Sequence, residues 1–292
     1  MSLSPQAIRA SYAACRRVGR EARSNFRIAF LLLPRQKRAA TEALYAFMRH
    51  SDDLVDDARP PQAAEEALAQ WRSDLERALS EKPPSQSPEP GRALLPALVD
   101  TVRTFQIPAE YLRAVLDGME MDLRQRRYRT FDELQLYCQR VASAVGLACI
   151  HIWGFSGRDA LGLARDAGIA LQLTNILRDL VEDAAADRVY LPLDDLRQCG
   201  YAADDFERRV VSPSFYRLME LEIVRAERFY RSGTKLLDRL SPEGRRIFGV
   251  MIDTYHNLLM QIKRRPADVL ARRMRVSLPK RLGIAARWMF VR

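Results

Sequence analysis

Two acidic stripes carry the clearest chemistry in the sequence. HSDDLVDD, residues 50–57, packs four aspartates into six positions near the end of a helical segment. Side chains three or four positions apart share a helix face, so Tyr45, Arg49, Asp52 and Asp56 line up, with Asp53 alongside. A second stripe, 127 residues further on, sets Gln172, Asn175, Asp179 and Asp183 in the same register, flanked by Arg178 and Glu182. Acids near a helix C-terminus oppose the macrodipole by ~0.3–1 kcal/mol each, and like charges at i,i+4 add a few tenths more. Such a helix end calls for a cation. Ordinary ion pairs on a solvated face would supply one; the second stripe favours a divalent ion instead. Mg²⁺ takes oxygen ligands, commonly one or two protein carboxylates with phosphate and water completing the octahedron. Facing stripes would clamp diphosphate-bound Mg²⁺, with Mn²⁺ as its substitute. A di-iron bundle wants Glu-x-x-His pairs, and none of His50, His151 or His256 has that spacing.

The elements that must position these residues read as helices. Long Ala/Leu/Arg runs, few alternating stretches and only 13 glycines predict an all-α chain. Helices are expected at about 5–20, 35–57, 62–80, 92–105, 109–127, 132–155, 160–185, 213–239 and 243–263. EKPPSQSPEPG (81–91) and Pro60-Pro61 read as loops. Pro34, Pro108 and Pro213 stand where a first helical turn tolerates proline. With no tandem repeat or sustained heptad, residues 1–292 read as a single domain with a basic C-terminal segment, 263–292.

Of the net charge of +10, that segment holds +9: ten Lys/Arg against Asp268. It suits nucleic acid, an anionic membrane or a phosphorylated ligand, or is simply solvated. Nucleic acid is disfavoured, because few aromatics interleave with the charges and the acidic stripes repel phosphate. Arg272, Arg273, Arg275 and Lys280 could fold near a diphosphate or meet a membrane surface. Trp288, Met289 and Phe290 beside Arg287 and Arg292 suit shallow interfacial contact, or the packing of a short final helix. Cys15, Cys138, Cys149 and Cys199 form no C-x-x-C pair, which fits a reduced compartment. No apolar run approaches the ~18–20 residues of a membrane span, and the N-terminus lacks a signal-peptide core. The expectation is a cytoplasmic protein, membrane-peripheral at most, and a monomer or weak homo-oligomer. No G-x-G-x-x-G announces a dinucleotide fold.

ALYAFMRHSDDLVDD (43–57) and QLTNILRDLVEDAAADRVYLP (172–192) resemble the two signature segments of the synthases that join prenyl diphosphates head to head: squalene, dehydrosqualene and phytoene synthases. DGMEMDLRQRRYRTFDELQLYCQRVASAVG (117–146) resembles the stretch between them, and the likeness extends over roughly 15–285. The resemblance implies an isoprenoid synthase fold, its helices around a central apolar cavity with Mg²⁺ bridging diphosphates at the mouth. It implies ionisation of one diphosphate, attack by the other chain's double bond to give a cyclopropylcarbinyl diphosphate, then a second ionisation and rearrangement. NADPH supplies hydride where squalene is the product; phytoene forms by proton loss.

Carried over by position, Asp52, Asp56, Asp179, Asp183 and Asn175 would hold metal, and Arg49, Arg178 and Arg188 would hold phosphate oxygens. Tyr45 and Tyr137 would line the reaction centre with Gln172. Phe26, Phe30, Val141, Val145, Gly146 and Leu171 would shape the prenyl channel. Each has a plainer reading. The tyrosines could be core residues, Gly146 a packing contact, Phe26 and Phe30 ordinary core, and Arg188 a neutraliser of neighbouring acids. Arg27 in SNFRIAF (24–30) departs from the family's apolar entrance. RVASAVG with LACIHIWGF is worded more like bacterial squalene- or presqualene-forming members than like phytoene synthases. NILRDLVEDA is intact, unlike in relatives that serve as assembly factors. The leading expectation is condensation of two farnesyl diphosphates to presqualene diphosphate or squalene. The alternatives are a phytoene synthase using geranylgeranyl diphosphate and a non-catalytic helical assembly factor.

Overall fold

The computed structural model describes residues 4–21, 27–56, 60–80 and 91–290, without the side chains of Arg27, Ile28, Asp56 and Pro61. Phe26, Asp57 and the 81–90 part of the expected loop lie outside the described residues. Helices account for the chain and no strand occurs among the described residues; only isolated bridges pair Arg127 with Val189 and Phe155 with Leu240.

Local chemistry explains where the helices begin. The hydroxyls of Ser212 and Ser241 accept from the backbone N–H groups of Phe215 (3.2 Å) and Gly244 (3.1 Å), each followed by proline at the first helical position. Thr130 caps Phe131–Cys138 by accepting from Glu133 N (3.3 Å), while the Glu133 carboxylate accepts from Arg129 N (2.7 Å). That is a capping box reaching one residue further back.

Four expected helices prove to be composite, and 92–105 opens in a 3₁₀ turn, Arg92–Leu94, before Leu95–Thr104. Residues 132–155 divide at a π-helical turn, Gln139–Ser143, between Phe131–Cys138 and Ala144–Trp153. Residues 160–185 divide at Asp179, which leaves helical geometry between Ala160–Arg178 and Leu180–Ala185. Residues 213–239 end in a 3₁₀ stretch, Thr234–Arg239. Short helices Leu193–Cys199, Asp204–Glu207, Asp268–Ala271 and Leu278–Met289 occupy stretches with no helix in the sequence reading.

The Ala160–Arg178 helix is the hub, packed on Pro213–Gly233, Pro242–Arg264, Ala144–Trp153 and the π turn. Small residues allow that density: a Cβ on Gly168 would sit 2.5 Å from Ser143 Cα, and one on Gly233 2.6 Å from Ala167 Cα. One contiguous cluster of buried apolar side chains runs from Ala29 to Trp288. Cys15, Cys138, Cys149 and Cys199 are buried and free.

A buried ionic group braces the hub's outer partner. Arg225 donates to Asp195 (2.7 Å) and Glu222 (2.6 Å) and lies 4.1 Å from the Phe131 ring centre. Burial pushes the Glu222 carboxyl up to about 7 despite Arg225. The folded state therefore holds this proton where the unfolded chain has lost it. Its contribution is full below the unfolded value near 4.5 and is lost as pH rises through about 7. Urea denaturation of wild type and Glu222→Gln across that window should show wild-type stability falling by ~1–3 kcal/mol relative to the variant.

Candidate active site

The Arg35–Asp56 and Ala160–Arg178 helices present their polar stripes to one cavity of about 300 Å³, within the range of small-molecule sites. Tyr45, Met48 and Asp52 line it from the first helix; Leu171, Gln172 and Asn175 from the second. Val141, Val145 and Gly146 contribute from the π turn and the helix after it, with Phe30, Trp153, Phe248, Met251 and Tyr255 completing the apolar wall. Phe30 meets Tyr45 edge-on, with centroids 6.0 Å apart. Tyr45 and Asp52 of the first stripe and Gln172 and Asn175 of the second thus line one largely apolar space, whose wall does not include Arg49, Asp179 or Asp183.

Gly146 lines this cavity without tight packing, since a Cβ there would sit 3.6 Å from Ala164 O, an ordinary contact. Gly146→Ala should stabilise the helix by up to ~1 kcal/mol. It should also narrow the channel, raising KM for the longer prenyl diphosphate more than for the shorter. Thermal denaturation and KM for both substrates check this.

One turn beyond Asn175, charge concentrates. Asp179 accepts from Arg178 (Nε to Oδ1, 2.7 Å) and from both arms of Arg273 (2.8 and 3.0 Å). Arg178 and Asp179 are about 15 % exposed; Arg273, reaching in from the basic segment, is 45 % exposed. The break at Asp179 leaves the stripe's register intact, because Asp183 N still donates to Asp179 O at 2.8 Å. Burial and the Asp179 charge push the Asp183 carboxyl up to about 7, with Arg188 opposing. Tyr255 hydrogen-bonds Arg178 and Asn175 and joins wall to mouth.

These residues fit a hard cation. Asn175 Oδ1 is buried with no hydrogen-bond partner, and it stands one turn before an acid pair in which the Asp179 charge raises the cost of ionising Asp183. Among the described residues no three His, Cys, Asp or Glu side chains converge on one point. The side chain of Asp56 lies outside the described residues, although its backbone ends the first helix.

Two expected placements differ. Arg49 pairs with Asp53 at 2.5 Å, one turn along its own helix. Tyr137 is absent from the cavity wall: its phenol donates to Asp122 Oδ2 (3.0 Å), and Tyr190 donates to Oδ1 (2.7 Å). The buried Asp122 carboxylate explains this, because it holds the Tyr137 phenol against the Ala109–Arg124 helix, while Val141 and Val145 line the cavity. The rings of Tyr128, Tyr137 and Tyr190 cluster within 5.0–5.8 Å. Burial holds all three phenols well above their ordinary value, so they stay protonated: Tyr137 and Tyr190 donate to Asp122, and the Tyr128 hydroxyl is buried with no hydrogen-bond partner. Arg188 lies within the electrostatic reach of Asp183, Tyr128 and Tyr190.

Asp122 and Tyr255 escaped the sequence reading. Asp122 carried a signal: it continues the buried register Leu112, Val115, Leu116, Met119, where an acid has no business unless paired.

The chain matches the squalene/phytoene synthase family over residues 19–281. It is 35% identical over 285 residues to the phytoene synthase of Arthrospira platensis, covering 93% of this chain and 90% of that one. The crystal structure of a squalene synthase from Alicyclobacillus acidocaldarius superposes with a TM-score of 0.81 at 28% identity, covering 89% and 96%. A dehydrosqualene synthase solved with a ligand gives 0.85 at 25% identity, covering 97% and 96%.

Proposed function

We propose, on the premise that the chain belongs to the squalene/phytoene synthase family and is a prenyltransferase of that head-to-head class, that its substrates are two farnesyl diphosphates and its product presqualene diphosphate, squalene or both. The observation that carries this is one apolar cavity shared by Asp52 from one stripe and Gln172 and Asn175 from the other. Such a space fits a long apolar tail ending in a polyanionic head.

The residues divide the work. Arg178, Arg273 and Arg188 offer planar donors that match phosphate oxygens, as does Arg49, paired to Asp53 on the Arg35–Asp56 helix. Mg²⁺ or Mn²⁺, when bound, would be held by Asp52, Asp56, Asp179, Asp183 and Asn175 and would neutralise charge on the departing diphosphate. Phe30, Val141, Val145, Gly146 and Leu171 exclude water from the allylic cation, which hydration would otherwise quench. Tyr45 turns an aromatic face to the same space. Tyr137 stands behind the wall and fixes the Phe131–Cys138 helix through Asp122. Presqualene diphosphate needs no reductant; squalene needs hydride, and NADPH is its proposed donor.

The phytoene synthase likeness favours a second reading, condensation of two geranylgeranyl diphosphates to phytoene. Purified protein with Mg²⁺ and each diphosphate, with and without NADPH, followed by mass spectrometry of the lipid extract, decides between them. A thirty-carbon product supports farnesyl use. Phytoene alone supports the second reading, and no lipid product from either substrate overturns both.

A further inference from the structure

We infer that Trp153 closes the deep end of the cavity and sets the longest prenyl tail that it accepts. Asp52, Asn175 and Tyr255 mark the polar end. On the Arg35–Asp56 and Ala160–Arg178 helices, Thr41 and Ala164 line the same cavity 11 positions earlier, about 16 Å away at 1.5 Å per residue. The Ala144–Trp153 helix runs the opposite way: Gly168 abuts Ser143, whereas Gly146 lies beside Ala164. Its last residue, Trp153, therefore stands at the Thr41 and Ala164 end. The Pro242–Arg264 helix has the same polarity. Tyr255 joins the polar end, Phe248 lines the wall two turns earlier, and Gly244 abuts Trp153, where a Cβ would sit 3.0 Å from that of the tryptophan.

The indole is pinned across that end. Its N–H donates to Thr41 Oγ1 at 3.3 Å, joining the Ala144–Trp153 helix to the Arg35–Asp56 helix. The Thr41 hydroxyl is held in turn, donating to Lys37 O at 2.9 Å. The tryptophan backbone is fixed as well, because its carbonyl accepts from Lys37 Nζ (2.9 Å) and Ser241 Oγ (2.5 Å). The ring cannot swing aside without giving up its bond. The phenyl rings of Phe30 and Phe248, elsewhere in the wall, carry no polar atom to hold them so. A tail longer than the cavity must displace close-packed side chains, which is costly. A smaller residue in place of Trp153 leaves a void that one more isoprene unit fills.

This rests on the reading above only in taking a prenyl tail to enter from the Asp52 and Asn175 end. Titration calorimetry of the full chain with Mg²⁺ and the farnesyl, geranylgeranyl and geranylfarnesyl thiodiphosphates tests it without turnover. Wild-type affinity should fall sharply at one tail length, between farnesyl and geranylgeranyl on the farnesyl reading. Trp153→Ala should move that fall by one isoprene unit, binding the first excluded tail about tenfold or more tightly than wild type does. Trp153→Phe keeps a ring across the end and should leave the fall in place. Trp153→Leu gives the same direction of change as alanine if Trp153→Ala fails to fold. A fall at an unchanged length in the alanine and leucine variants, an equal loss of affinity at every length, or wild-type binding indifferent to length overturns the inference. A wild-type fall between geranylgeranyl and geranylfarnesyl that Trp153→Ala abolishes overturns the farnesyl reading and supports the inference.

Discussion

Asp179→Asn should lower turnover of prenyl diphosphate by roughly 100–1,000-fold or more while the protein stays folded. Asp179 gathers two guanidinium groups beside the cavity helix, Arg178 from its own helix end and Arg273 from the basic segment. The amide keeps the shape but loses the charge that places both donors where a diphosphate must sit. Stability should change by only ~1–2 kcal/mol, because two effects oppose each other. Arg178 loses a partly buried partner, but it retains Tyr255, and Asp183 loses the neighbouring charge that raises its cost of ionisation. Product formation under saturating substrate, with a urea titration beside it, reads both quantities. A loss of activity under tenfold would remove Asp179 from the reaction.

Asp122→Ala should have the largest effect on stability, about 3–5 kcal/mol. The carboxylate is 8% exposed and accepts from two buried phenols, Tyr137 and Tyr190, on different parts of the chain. Alanine strands both donors away from water. Asp122→Asn should cost less, ~1–3 kcal/mol, because one oxygen still accepts while the amide N–H₂ faces a second donor. The midpoint of urea unfolding measures the pair. An alanine variant within 1 kcal/mol of wild type would mean that the tyrosine cluster does not depend on this acid. Because Tyr137 anchors the helix that leads into the π turn, the surviving Asp122→Asn protein should also show a raised KM.

The acidic stripes were legible because helical periodicity alone puts Asp52 beside Tyr45 and Asp179 beside Asn175, whatever packs around them. The second stripe survives even the break at Asp179, since the Asp183-to-Asp179 hydrogen bond preserves the register. The break itself was hidden: neither glycine nor proline marks it, and Arg273, which meets Asp179 there, comes from 94 residues away. The π turn was equally silent, and Tyr137 faces the Asp122 carboxylate, a partner 15 residues away. Leu193–Cys199 and Asp268–Ala271 are too short for apolar periodicity to show. At the C-terminal end the sequence left two uses open for Trp288, Met289 and Phe290, and the fold divides them: Trp288 packs, while Met289 and Phe290 face outward. Phe26 and the Asp56 side chain, part of the expected channel and metal set, lie outside the described residues.

The central claim is that the two stripes act together on one diphosphate. Titration calorimetry with farnesyl thiodiphosphate, which resists ionisation, tests it without turnover. The account predicts tight binding with Mg²⁺, weak binding in chelator, and loss of the Mg²⁺-dependent part in both Asp52→Asn and Asp179→Asn. Binding that ignores Mg²⁺ and is unchanged in both variants would contradict it.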